Sequence, residues 1–206
     1  MTRALILVDI QNDFMPGGAL AVPDGFAVVP VANALLPTFD LVVASQDWHP
    51  AGHGSFASSH EGKAPGEMGE LAGMPQVMWP DHCVQETEGA AFVESLDLSR
   101  APKGVEVFQK GTDPRIDSYS AFFDNGHRKD TGLGDWLKAR EVRQVVIVGV
   151  ATDYCVKFTA LDAAELGFDV VLLEDGCRGV NLQPDDSEKA KDEMRAAGVT
   201  VTTSDT

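Results

Sequence analysis

Four short apolar runs each end on a side chain that can move a proton, hold a cation or attack a carbon. ALILVD reaches Asp9, LVVASQDWH reaches Asp47 and His49, VEVFQK reaches Lys110, and VVIVGVATDYC reaches Cys155. Alone, each has an ordinary use. Asp9 can cap a turn, Lys110 can be a solvated charge, and a single cysteine is often a small buried hydrophobe. Gathered on one edge, they make a nucleophile and its base. Cys155 stands where a helix begins, and the free N–H groups and positive dipole end of a helix start favour a thiolate. A nearby Lys110 would lower the thiol pKa further. The same N–H groups can hold the oxyanion of a tetrahedral intermediate, while Asp9 can take the thiol proton and pass it to a leaving amine.

Asp47 and His49 form a second constellation. In an extended segment residues two apart point the same way, so this carboxylate and imidazole can grip one ion. His82, in WPDHC, completes a two-histidine, one-carboxylate set. Such a set leaves open positions for water or substrate and suits Zn, Fe or Mn. His53 and His60 stand nearby in sequence, either as further ligands or as hydrogen-bonded loop histidines. Cys83 adjoins His82, but neighbours in an extended segment point apart, so it is expected to pack. Cys177 is expected in the core and His127 on the surface.

These residues need elements to carry them. The runs 4–10, 41–45, 105–109, 145–150, 170–175 and 199–204 are mostly continuous rather than alternating, as in strands buried on both faces. Helical patterns fall at 26–38, 135–140, 159–166 and 186–197, the last opening on a capping Asp; Gly167 and Gly198 follow as stops. The alternation predicts an α/β fold with a mainly parallel six-stranded sheet between helical layers. Ligands in such sheets sit beyond the carboxyl ends of the strands, where the four reactive segments end. The region 46–104 breaks the rhythm and is rich in Gly, Pro, His and Trp; a loop that long in a compact domain is usually functional.

The 206 residues suit one domain, 1–206, with 44% hydrophobic and 23% charged residues. A net charge of -16 argues against nucleic acid and anionic membranes as partners. No segment approaches the roughly 20 apolar residues of a membrane span, and the N-terminal run is too short for a signal peptide. Three widely spaced cysteines do not form a disulfide framework, so reduced thiols in the cytoplasm are expected.

Six stretches, in order, give the chain a resemblance to a known family: LILVDIQNDFMPGGAL, ASQDWHPAGHGSFA, MWPDHCVQETEGAAF, FQKGTDPRIDSYSAFFDN, VVIVGVATDYCVKFTALDAAELGF and LLEDGCRGVNL. It resembles the nicotinamidases within the isochorismatase-like cysteine hydrolases, over most of its length. The resemblance implies the three-layer α/β/α isochorismatase-like hydrolase fold, with Asp9 as general base, Lys110 as catalytic lysine and Cys155 as nucleophile. It implies one divalent metal on Asp47, His49 and His82, with Zn first and Fe or Mn as alternatives, and no organic cofactor. It also implies a cis peptide at Val150–Ala151, an oxyanion hole from the N–H groups of Ala151 and Cys155, and an aromatic lining of Phe14, Trp79 and Tyr119 around a pyridine ring.

The implied reaction is hydrolysis of nicotinamide to nicotinate and ammonia through a Cys155 thioester, in NAD salvage, with pyrazinamide as a second amide. The metal would orient the substrate through its ring nitrogen. Family members range from monomers to larger assemblies, so a homo-oligomer stays open. One departure is visible: Glu86 in CVQETEGA stands where the family usually has glycine, a residue that can mark a special backbone angle. Ureido and carbamoyl amidases of this fold keep the Asp, Lys and Cys but lack this metal set. A metal-binding or thiol-sensing protein would leave Asp9 and Lys110 unexplained.

Overall fold

The computed structural model describes residues 2–204. Six parallel strands form one sheet in the order β5-β2-β1-β6-β7-β8. They are β1 (Thr2–Val8), β2 (Leu41–Asp47), β5 (Glu106–Lys110), β6 (Val142–Val150), β7 (Asp169–Arg178) and β8 (Thr200–Thr202). Each of the six expected runs supplies one strand.

The continuous apolar character follows from burial on both faces. In β1, Leu5 and Leu7 enter one hydrophobic cluster while Ala4, Ile6 and Val8 enter the other. In β6, Val146, Val148 and Val150 face the first cluster, and Val145 and Ile147 the second. Helix α1 (Val28–Leu35) covers the first face through Val28, Val29 and Ala32. Helices α2 (Leu133–Lys138), α3 (Lys157–Glu165) and α4 (Asp186–Ala196) cover the second through residues such as Leu137, Ala160 and Met194. This is the three-layer α/β/α arrangement.

Local details differ from expectation. The helix expected at 26–38 is α1 flanked by the 3-10 turns Gly25–Ala27 and Leu36–Thr38. The Asp expected to cap α4 does not: the N-cap residue Asp185 makes no side-chain capping bond, the Asp186 carboxylate accepts from the Gln183 N–H, and Asn181 Oδ1 receives the first-turn N–H of Ser187. The region 46–104 contains a hairpin, β3 (Met68–Leu71) with β4 (Met74–Val77), which its weak periodicity did not signal. Part of that region also does the work of a helix, since Cys83, Ala90, Val93, Leu96 and Ala101 join the first core cluster. No helix among the described residues is long and apolar enough to cross a membrane.

Candidate active site

Parallel pairing brings the reactive residues together. Asp47 and Lys110 are register partners at the ends of β2 and β5. Val8, the last residue of β1, pairs with Ser45 of β2, so the next residue, Asp9, emerges beside them. Cys155 lies just past β6, in a π-helical turn, Thr152–Val156, that leads into α3. The helix start expected at the thiol is this wider turn, with Val156 N–H bonded to Ala151 O at 3.0 Å. The Val150–Ala151 peptide before it is cis.

Lys110 is the hub. Its ammonium is 2.9 Å from Asp9 Oδ2, 3.1 Å from Asp47 Oδ1 and 3.5 Å from Cys155 Sγ, and it donates to Ser118 O at 2.9 Å. Its side chain is 0% exposed. Burial alone would push Lys110 down, but Asp47 and Asp9 hold it well above its usual value, so it stays charged. Burial raises Asp9 against the pull of Lys110, making it a better proton acceptor than an ordinary carboxylate. Burial would also raise Asp47, yet His49 and Lys110 hold it well below the usual range.

The thiol departs from expectation. Burial lifts Cys155 well above an ordinary cysteine; Lys110 pulls the other way, but Asp9 and Asp47 add to the rise. A single lysine does not outweigh desolvation and two carboxylates. The resting group is therefore the thiol, and it needs a base. Asp9 is placed for that role. Its Oδ1 accepts from Ser45 Oγ at 2.6 Å, while Oδ2 has the ion-pair contact with Lys110 but no aligned hydrogen bond.

Asp47, His49 and His82 converge. Asp47 Oδ2 is 3.1 Å from His49 Nε2 and 3.4 Å from His82 Nε2. Each imidazole spends Nδ1 on a backbone carbonyl, His49 on Gly111 O at 2.9 Å and His82 on Pro80 O at 2.7 Å. Each Nδ1 therefore carries a proton, and each Nε2, turned toward Asp47 Oδ2, is the nitrogen left to ligate an ion, the usual outer-shell arrangement of metal-binding histidines. Gly111 is required here: it has φ +66°, and a Cβ would lie 2.5 Å from His49 Cε1.

His53 and Asp117 make a second grouping with His49. However, His53 Nδ1 faces Ser55 Oγ at 2.8 Å and Nε2 faces Asp113 O at 2.8 Å, so both nitrogens are already used. His60 Nε2 bonds Gly54 O at 2.7 Å. These two are hydrogen-bonded loop histidines. His127 is half exposed and pairs with Asp162. Cys83 and Cys177 are buried in opposite core clusters.

A cleft opens over the thiol, lined by Phe14, Trp79, Tyr119, Ala151 and Cys155, with Asp47 and His82 on its wall. Phe14 stands edge-on to His82 with centroids 5.5 Å apart, and Trp79 Nε1 donates to the Tyr119 hydroxyl at 3.2 Å. Leu20, Asp117, Tyr154 and Val180 also line it and were not singled out from the sequence. Nor were two supports. Ser45 fixes Asp9, and Gln11 brackets Asp47 by accepting from its N–H and donating to its carbonyl, both at 2.8 Å. A polar residue closing a buried apolar run, as Ser45 does in LVVAS, is the signal that could have found the first.

A model of the isochorismatase domain matches residues 3–206, and the chain belongs to that family. A nicotinamidase of Escherichia coli (strain K12) is 56% identical over 205 residues, covering 98% of this chain and 94% of that protein. The solved structure of an Acinetobacter baumanii nicotinamidase/pyrazinamidase is 44% identical with a TM-score of 0.94, covering 99% of this chain and 97% of that one. A Pyrococcus horikoshii pyrazinamidase solved in complex with zinc is 39% identical with a TM-score of 0.80, covering 98% and 99%.

Proposed function

We propose that the chain is a nicotinamidase, an amidohydrolase converting nicotinamide and water to nicotinate and ammonia, with pyrazinamide as a second substrate. The observation that carries the reading is the buried Lys110 ammonium, which joins the Asp9–Cys155 pair to the Asp47–His49–His82 set in one continuous site. Hydrolysis of ureido or carbamoyl amides would leave that metal-type set without a use.

Phe14, Trp79 and Tyr119 hold the pyridine ring in the cleft. Asp9 takes the Cys155 proton as sulfur bonds to the carboxamide carbon, and Lys110 stabilises the thiolate as it forms. The N–H groups of Ala151 and Cys155 receive the oxyanion. Asp9 then gives its proton to the departing ammonia, leaving a nicotinoyl thioester. In the second half Asp9 takes one proton from water as the hydroxyl oxygen bonds to the acyl carbon; the C–S bond then breaks, Asp9 returns that proton to sulfur, and nicotinate leaves with its carboxyl proton taken up by the released ammonia.

The donor set fits a divalent ion, since both free Nε2 atoms and Asp47 Oδ2 face one point. We assign Asp47, His49 and His82 as its ligands and zinc as the ion, which when bound supplies a Lewis-acid contact for the ring nitrogen. The chain is read as one domain of the cytoplasm, where its three free cysteines would stay reduced. The test is ammonia release from nicotinamide by purified protein, with and without a chelator and beside Cys155→Ala. Release that needs both thiol and metal supports the reading; no release from reduced, zinc-loaded protein overturns it.

A further inference from the structure

Asp153 sits in the π-helical turn two residues before the thiol and is 5% exposed, yet it faces away from the reacting groups. Its two carboxylate oxygens are each used on the backbone of a distant loop: Oδ1 accepts from Val180 N–H at 2.9 Å and Oδ2 from Asn181 N–H at 2.7 Å. Val180 is a wall of the cleft. Asn181 has φ +51°, and it carries the tie onward, accepting from the Ser187 N–H at the start of α4 at 2.9 Å. Gly179 lets the loop close down, because a Cβ there would lie 3.1 Å from Asp153 Oδ1 and 1.9 Å from Ser187 Oγ. A carboxylate accepting from two consecutive N–H groups fixes both position and orientation of that backbone.

We propose that Asp153 is a positioning residue that sets the substrate wall. It clamps the 179–181 loop to the turn bearing Cys155, so that Val180 stands at a fixed distance from the nucleophile and closes the cleft around an aromatic ring. The proposal rests on the hydrolase reading above. It assigns Asp153 to substrate fit rather than to the chemistry of sulfur, which sets it apart from Asp9 and Lys110.

The test compares wild type, Asp153→Asn and Val180→Ala in three readouts: steady-state nicotinamide hydrolysis, alkylation of Cys155 by iodoacetamide, and amide hydrogen exchange of residues 180 and 181. An asparagine keeps one acceptor and presents an N–H donor to the other N–H. Losing that hydrogen bond should raise KM about five- to tenfold, while kcat and the alkylation rate stay within about twofold. Val180→Ala leaves the clamp intact and should raise KM similarly, which decides the matter if Asp153→Asn does not fold. The two amides should exchange slowly in wild type and rapidly in Asp153→Asn. Unchanged KM in either folded variant overturns the proposal. So does a parallel fall of kcat and alkylation at constant KM, which would assign Asp153 to the nucleophile instead. Failure of wild type to hydrolyse nicotinamide counts against the substrate reading, and exchange then judges the clamp alone: fast exchange in wild type overturns it.

Discussion

Lys110 Nζ lies 3.5 Å from Cys155 Sγ, and the same ammonium pairs with two buried carboxylates, Asp9 and Asp47. One cation therefore touches both the Cys155 thiol and the metal-type set. Lys110→Met should lower kcat/KM on the order of a thousandfold, within the range for a positioned acid–base group. It should also destabilise the fold by about 3 kcal/mol, because breaking a buried ion network leaves charge uncompensated. Urea unfolding with parallel kinetics checks both, and a variant of wild-type stability would show that the carboxylates do not depend on this lysine.

Burial holds the Cys155 thiol well above its ordinary value of 9.0. The sign is direct: a raised thiol pKa means less thiolate at neutral pH. In metal-free protein, alkylation of Cys155 by iodoacetamide should be slower than that of a free cysteine at pH 7 and should still be climbing past pH 9. Asp9→Asn removes one of the charges that raise the thiol and should move the curve to lower pH. A plateau near pH 7 in wild type would mean that Lys110 outweighs desolvation.

Metal content should separate the histidines. His82→Ala removes a free Nε2 and should lose most bound zinc after dialysis, whereas His53→Ala, whose ring is committed to Ser55 and Asp113, should retain it. Elemental analysis of the two variants gives the answer. Equal loss from both would bring His53 into the ligand set.

Glu86 occupies a left-handed backbone conformation, φ +65°, and is exposed. A side chain costs roughly 1 kcal/mol there relative to glycine. Glu86→Gly should therefore raise stability by about 0.5–1 kcal/mol, a Tm gain of roughly 1–4 °C for a chain of this size, with turnover unchanged. A lower Tm would mean that the glutamate makes a compensating contact.

Much of this molecule could be read from local sequence, and the parts that could not share a cause. The strands were legible because burial on both faces writes itself as unbroken apolar runs, and the strand ends located Asp9, Asp47, Lys110 and Cys155. The special angle at Glu86 was legible as a departure from the resembled family. The raised thiol was not, because desolvation depends on how deeply Cys155 itself is enclosed, a property of the assembled fold. Ser45, Gln11 and Asp153 were missed for a similar reason: each acts through contacts with backbone or side chains many residues away. The hairpin of β3 and β4 gave no alternating pattern in sequence because its burial is mostly partial and β3 exposes Met68 while turning Gly69 inward.

The central claim is that Cys155 sulfur takes the acyl group of nicotinamide. Acid-quenching the reaction at early times and measuring intact and peptide masses tests it most directly. The account predicts a nicotinoyl adduct confined to the peptide containing Cys155, and neither adduct nor turnover in Cys155→Ala. Undiminished ammonia release by Cys155→Ala, with no adduct on the wild-type thiol, would contradict it.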